Sequence, residues 1–255
     1  MAAVKIKINH KKVSSKVNKF QLKWAIKFLR RKIKETQSND KIKVEFILID
    51  YFSESIEKYK NKYIINDIKE SFSINPIQKN FSQIIIYGYD TRGLIYGITE
   101  IADRFENQIN KKINFKNIFC KTSETPKTKI RSISKCFESD VEDLKWFYDK
   151  IMWREYLNML ISNRFNRLTF TLGMQYNYPY GNEFIKDVYF YLAYPFLVKP
   201  KGYKIYAKGI NKKIRDKNLN MLKFISDETA KRGLDFQLAL WTQRYDFDDV
   251  PNANY

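Results

Sequence analysis

Histidine is nearly absent: His10 is the single one among 255 residues. Within this chain that excludes a Ser-His-Asp triad, a His-rich zinc site and the HExxH motif. Two cysteines, Cys120 and Cys136, are too few for a disulfide framework, and they imply no oxidising compartment. No run approaches the ~20 apolar residues that a membrane-spanning helix needs. Residues 1–20 carry many lysines but no apolar h-region, so no signal peptide is visible. Gly (8) and Pro (6) fall well below their usual shares of about 7% and 5%. Acid is missing altogether from residues 1–34.

What is present is an ordinary globular mixture, 44% hydrophobic and 29% charged. The formal net charge is +19. Residues 1–34 hold twelve Lys/Arg, and the rest of the chain is only slightly basic. Such a stretch can meet phosphate or an anionic surface. The abundance of Lys, Ile, Asn, Tyr and Phe is also what an AT-rich gene yields.

Hydrophobic spacing divides the chain. Residues 3–9 alternate as a half-buried strand does. Residues 18–34 repeat Leu22, Ala25, Ile26, Leu29 and Ile33 at helical intervals. Strands are expected at 42–51, 71–77 and 82–88, with breaks at Asn75-Pro76 and Gln78–Phe81. A helix is expected over 93–108, on Leu94, Ile98, Ile101, Ala102 and Phe105. The expected fold class is therefore α/β. It opens with a small α+β domain, a mainly antiparallel sheet with two helices. A polar connector, 120–129, contains Thr122, Ser123, Thr125 and Pro126, and the spacing predicts a domain boundary there, 1–122 and 123–255.

Beyond the connector the rhythm changes. Strands are expected at 130–137, 167–173 and 234–241. Between the first two lie a short helix with Ser139 and Glu142 at capping-box spacing and an amphipathic helix on Trp153, Tyr156, Leu157, Leu160 and Ile161. A helix over 213–232, ended by Gly233, precedes the third. Strand and helix in alternation predict parallel βα units. A parallel sheet needs both faces covered, and an eight-stranded (β/α)8 barrel takes about 250 residues. The expectation is the first βα units of a TIM-type barrel, an incomplete front part of a longer protein.

The most distinctive stretch is Tyr87-Gly88-Tyr89-Asp90-Thr91-Arg92-Gly93-Leu94-Ile95-Tyr96-Gly97. Its glycines follow a strand and open a helix, but the spacing is neither GxGxxG nor GxxxxGK[ST]. The residues predict a tight strand-to-helix turn, with Gly93 relieving the turn and Gly97 letting the helix lie close on the sheet. A short sheet followed by Gly-x-Asp-x-Arg-Gly-Leu-x-Tyr-Gly, residues 88–97, resembles the N-terminal accessory domain of several glycoside hydrolases. These include the family 20 β-N-acetylhexosaminidases and the microbial α-glucuronidases. There the domain precedes a (β/α)8 catalytic barrel, and Ile130-Arg131-Ser132, Arg164-Phe165-Asn166-Arg167 and Leu240-Trp241 are similar to barrel glycosidases. Residues 130–138 lack the Asp-x-Pro and Arg-Gly pattern of the hexosaminidase barrel, which leaves the sugar open. The resemblance implies a glycosidase whose Asp-Glu pair follows barrel strand four, beyond Tyr255.

Glycosidases need two carboxylates roughly 5–10 Å apart, one with a raised pKa, and no histidine. Glu138, Asp140, Glu142 and Asp143 follow the first of the parallel strands, but acids there also stabilise a helix N-terminus. Asp246, Asp248 and Asp249 follow the third and suit a solvated loop as well as a metal. Binding residues are the stronger candidates, because barrel sites are built at strand C-termini. Tyr176 and Trp241 could stack on sugar faces, and Gln175, Gln243 and Arg244 could hold hydroxyl or carboxylate groups. The segment 174–211 is rich in Tyr and Phe and long for a connection; it is either a substrate-contacting lid or an insertion with its own aromatic core. The expected partner is a carbohydrate substrate, with no cofactor, metal or membrane span. The alternatives are a basic nucleic-acid-binding α/β protein and a non-catalytic carbohydrate-binding relative.

Overall fold

The computed structural model describes residues 4–36, 42–77, 79–109, 113–137, 140–172, 196–199, 201–202 and 211–240. Two compact units divide the chain. The first is Met1–Arg131 with Asn158–Asn166 and Lys231–Gly233; the second is Ser132–Leu157, Arg167–Ala230 and Leu234–Tyr255.

The first unit is built on β1 (Val4–Asn9), α1 (Lys19–Glu35), β2 (Ile42–Asp50) and the short α2 (Glu57–Lys60). They are followed by β3 (Phe72–Pro76), β4 (Gln83–Gly88), α3 (Thr91–Glu106), α4 (Phe115–Ile118) and β5 (Thr122–Glu124). The strand order is β1-β2-β4-β3-β5. β1–β2 and β2–β4 are parallel, whereas β3–β4 and β3–β5 are antiparallel. The sheet is therefore mixed, where the alternation pattern predicts a mainly antiparallel one. The reason lies in the connections. The short link between β3 and β4 makes a hairpin, but α1 carries the chain from the end of β1 back to the start of β2 as a crossover, which forces parallel pairing.

Both faces of this sheet are covered. α1 buries Leu22, Ala25, Phe28, Leu29 and Ile33, and α3 buries Leu94, Ile98, Ile101, Ala102 and Phe105. Val44, Phe46 and Leu48 alternate along β2 with Ile47 and Ile49, and all five are buried. Ile47, Ile49, Ile85 and Tyr87 form a second cluster with Ile56, against which Tyr51, Tyr59 and Tyr63 pack. Burying one such large apolar side chain contributes about 1.5–3 kcal/mol.

The stretch 88–97 is the tight turn that its glycines predict. Asp90 caps α3: its Oδ1 accepts the Gly93 N–H at 2.9 Å. A Cβ at Gly88 would lie 2.1 Å from the Leu94 nitrogen, and one at Gly93 2.2 Å from the Ser71 carbonyl oxygen. At Gly97 it would meet Ile86 Cγ2 at 2.7 Å, so helix and sheet approach closely there. The Gly93 amide at this helix start is thus used by the protein's own aspartate.

The second unit contains β6 (Ser132–Phe137), α5 (Asp140–Phe147), most of α6 (Lys150–Ser162), β7 (Arg167–Leu172), α7 (Lys212–Lys231) and β8 (Asp235–Leu240). β6, β7 and β8 are parallel and ordered as they occur in the chain. Gly233 ends α7 with φ +79°, and the Leu234 N–H donates to the Thr229 carbonyl at 3.2 Å, closing a Schellman turn. The architecture is α/β throughout: a mixed sheet, then parallel βα units.

The Gly93 contact gives a direct test. Because the obstacle is backbone, no rotamer change relieves it, and Gly93→Ala is expected to cost about 3 kcal/mol. Urea unfolding followed by circular dichroism measures this; a loss under about 0.5 kcal/mol would contradict the close turn.

Candidate functional site

Alternation along the parallel strands sorts their side chains into two faces. Phe137, Leu168, Phe170 and Leu172 share one face and are fully buried. The aromatic rings of Trp146, Phe147 and Trp153 pack on it; Phe147 stacks on Phe170 at 6.0 Å and Trp153 meets the same ring edge-on at 5.8 Å. Lys135 also lies on this face, its ammonium 3.9 Å from the Trp146 ring centre.

The opposite face is polar and exposed toward the strand starts, while Cys136, Ala239 and the buried Thr171 lie on it nearer the strand ends. Ser132, Ser134, Thr169 and Gln237 lie on it, with Arg167 and Asp235 at the strand starts. Ser132 and Thr169 hydroxyls are 3.0 Å apart. Gln237 Oε1 accepts from Thr169 Oγ1 at 3.3 Å and from Arg167 Nη1 at 3.4 Å. Ser132, Ser134, Asp235 and Gln237 are exposed. Parallel sheets are as a rule buried on both sides, so a polar, solvated face is notable. β8 in addition leaves Leu238 37% and Leu240 51% exposed on its apolar side.

The C-terminal ends of β6, β7 and β8, at Phe137, Leu172 and Leu240, lie at one edge because the strands are parallel and in register. The sequence-predicted sugar-binding residues follow these ends in the chain. Gln175, Tyr176, Trp241, Gln243 and Arg244 lie outside the described residues, as do Glu138, Asp246, Asp248, Asp249 and the side chains of Asp140 and Glu142. Segment 174–211 lies outside them too, except for residues 196–199, 201–202 and Asn211. Asp143 is described: its Oδ1 accepts the Trp146 indole N–H at 2.7 Å. That bond gives it a structural duty within α5. Among the described residues no cluster of three or more His, Cys, Asp or Glu could hold a metal ion, and no helix is long and apolar enough to cross a membrane.

Displaced carboxylate pKa values mark functional sites, and structural ion-pair networks displace them too. Glu70, in the first unit, is 7% exposed and has a left-handed backbone, φ +65°. Its carboxylate receives Arg92 Nη1 on one oxygen and Arg131 Nη2 on the other. The Asn166 amide donates to both oxygens, at 3.3 and 3.2 Å. Arg131 further donates Nε to the Arg164 carbonyl at 2.6 Å and Nη2 to Tyr96 Oη at 3.0 Å. Asn166 Oδ1 accepts the Arg131 backbone N–H at 2.9 Å. Burial opposes ionisation of Glu70, but the two guanidinium groups outweigh it and hold its carboxyl below the usual carboxylate range.

A second cluster joins Glu100 to Arg104 at 2.7 Å and to Arg164, and Arg164 reaches Glu124 at 3.0 Å. Burial again opposes ionisation of Glu100, and the Arg164 and Arg104 charges overcome it. Asp103 is different: burial pushes it up to about 6, and among the described residues the Ser162 hydroxyl, at 3.2 Å, is its one side-chain donor. Glu70 and Glu100 are held by arginines and, at Glu70, by the Asn166 amide, all from their own unit, whereas Asp103 is held by burial and one hydroxyl. Sequence reasoning finds none of these partnerships. Arg92 stands out in the turn motif, but its partner Glu70 and the contributions of Arg131 and Asn166 join through space.

No protein-family model matches the chain and no curated protein does. Among solved structures, a GH138 enzyme targeting pectin rhamnogalacturonan II superposes with a TM-score of 0.58 at 22% identity, over 92% of this chain and 24% of that one. A family GH115 4-O-methyl-α-glucuronidase with specificity for decorated arabinogalactans gives 0.50 at 15% identity, over 66% and 25%. At such identities the likeness is one of fold. The chain spans about a quarter of the length of either neighbour. Its fold is one that glycoside hydrolases carry.

Two substitutions with opposite pH signatures test the assignment of the buried acids to structure. Glu70 is held low, so its stabilisation is present above about pH 4.5 and fades as pH falls through its folded value. Glu70→Gln is expected to cost about 3 kcal/mol at pH 7 and progressively less as pH falls below about 4.5. Asp103 is held high, so the fold loses stability as pH rises from about 4 past 6. Asp103→Asn is expected to stabilise by about 1 kcal/mol at pH 7–8, with no gain below about pH 4. Thermal unfolding across pH reads both; a pH-independent effect at either position would contradict the account.

Proposed function

We propose that the chain is the N-terminal portion of a glycoside hydrolase that cleaves glycosidic bonds of oligo- or polysaccharides. Residues 1–122 form a hexosaminidase-like accessory α/β domain and residues 123–255 the first three βα units of a (β/α)8 catalytic barrel. The observation that carries this reading is the parallel β6-β7-β8 sheet, helix-covered on its apolar face and polar on the other. Helices packed on the apolar face match the outer ring of a barrel, with the other face turned inward, and the uncovered Leu238 and Leu240 suit a further βα unit beside β8. Support also comes from the fold shared with the GH138 enzyme across most of this chain.

In this reading the sugar is held at the C-terminal edge of the strands. Tyr176 and Trp241 stack on its C–H faces, while Gln175, Gln243 and Arg244 hold hydroxyl or carboxylate groups. The acid and its partner carboxylate stand at the ends of strands four to seven, and no cofactor or metal takes part. The neighbours' own substrates, rhamnogalacturonan II and 4-O-methyl-glucuronides, make acidic glycans the first substrates to try.

The test is hydrolysis by the full-length product of those two substrates and of aryl glycosides of N-acetylhexosamines, hexoses and glucuronic acid. Cleavage of at least one is expected, with Trp241→Ala lowering kcat/KM at least about tenfold, as loss of a stacking ring should. Inactivity across the panel, or a downstream reading frame without two Asp/Glu at barrel strand ends, would contradict it.

A further inference from the structure

α1 uses only part of its circumference for the core. Leu22, Ala25, Phe28, Leu29 and Ile33 face inward. Beside that stripe, Lys19, Lys23, Ile26 and Arg30 recur at intervals of four, three and four, so they stand along one face of the helix. This face and the β1–α1 connection enclose an open groove of about 640 Å³. Its cationic rim is Lys11, Lys19, Lys23 and Arg30, all exposed. Its floor is aliphatic, from Ile8, Val13, Leu22 and Ile26, and His10 is the single ring that lines it.

The charges at this rim are uncompensated. Among the described residues none of the four cations is in an ion pair, and no acid lines the groove. The adjoining carboxylate, Asp50, is buried and already accepts the Ser14 N–H at 2.7 Å, the Ser14 hydroxyl at 2.6 Å and the Phe52 N–H at 3.1 Å. The groove also begins at the N-terminus of α1, where the helix dipole adds positive potential. Like charges gathered along a concave wall carry a mutual repulsion that an anionic ligand relieves.

We propose that this groove is a binding site for a linear, carboxylate-bearing glycan, distinct from the strand ends of the second unit. The volume lies in the range of ligand sites, large enough for a few sugar rings but not for a duplex. Lys and Arg bind carboxylates spaced along a chain, and the aliphatic floor takes the C–H faces between them. Single-stranded nucleic acid fits less well, because its affinity rests on aromatic platforms for the bases and this floor has none. The inference deepens the glycosidase reading and rests on it for the choice of a glycan: the groove would hold the polymer while another part of the protein cuts it.

Titration calorimetry on the 255-residue chain tests this with an oligogalacturonate, a neutral oligosaccharide of equal length, oligothymidylate and phosphatidylserine vesicles. The oligogalacturonate should bind and the neutral sugar should not, with affinity falling between about 50 and 200 mM salt. The triple reversal Lys19→Glu/Lys23→Glu/Arg30→Glu should weaken binding at least about tenfold. The control Lys121→Glu/Lys127→Glu/Lys129→Glu makes the same change of net charge beside β5, at the sheet edge opposite β1, and should stay within about twofold. Circular dichroism checks folding, and Lys23→Gln/Arg30→Gln, expected to weaken binding about threefold, replaces the triple if it unfolds. No uronate binding, equal loss in the control, or tighter binding of oligothymidylate or vesicles would overturn the proposal. Hydrolysis by the full-length product is scored separately, so a failed groove leaves the glycosidase reading standing, and an inactive enzyme leaves the groove measurement standing.

Discussion

A parallel strand cannot be followed by a parallel neighbour without a crossover, and a crossover helix covers only the face it crosses. That constraint organises the second unit. Phe137, Leu168, Phe170 and Leu172 are fully buried on the face where the aromatic rings of α5 and α6 pack. The alternate positions, Ser134, Thr169 and Gln237 among them, then fall on the other face, where a polar sheet surface meets solvent. A β-sandwich would bury that surface with apolar side chains. Here hydroxyl and amide side chains hydrogen-bond to one another across neighbouring strands.

The first unit solves a different problem. Its sheet is buried on both sides, and its strand-to-helix turn at 88–97 is so tight that Gly88 and Gly93 have backbone where a side chain would begin. The turn leaves Arg92 beside a left-handed, buried Glu70, and the charge of that carboxylate is tolerated because Arg92, Arg131 and Asn166 converge on it. Burying a carboxylate in this way is costly unless every lone pair is used, and removing one partner leaves the others uncompensated. The electrostatics of the unit therefore speak for structure at Glu70, Glu100 and Asp103. At the N-terminal groove the balance is reversed, with cations and, among the described residues, no acids.

Much of this was legible in the residues. Leu22, Ala25, Leu29 and Ile33 at helical spacing mark α1, and the alternation of Val44, Phe46 and Leu48 marks β2, because each element hides one face. Gly233 after a periodic helix marks the end of α7, since few other residues take a positive φ at that point. Strand direction in the first sheet was not legible: alternation says which residues face inward but not which way a neighbour runs. The ion cluster was equally hidden, because Glu70, Arg92, Arg131 and Asn166 are separated by up to 96 positions. Arg164 and Asn166 draw attention as part of a barrel-like segment, yet their side chains serve the first unit's clusters. The candidate sugar-binding residues rest on their place after strand ends, and that argument stands on the parallel order of β6, β7 and β8 rather than on any side-chain geometry.

The proposed barrel makes β8 an inner stave rather than an edge. Hydrogen exchange at residues 235–240, compared between the 255-residue chain and the longer gene product, tests it most directly. In the short chain alternate amides of β8 should exchange fast, because only those directed at β7 are paired. In the longer product the remaining ones should slow by at least about a hundredfold as a fourth strand pairs with them. Identical exchange in both, or an edge already protected in the short chain, would contradict the account.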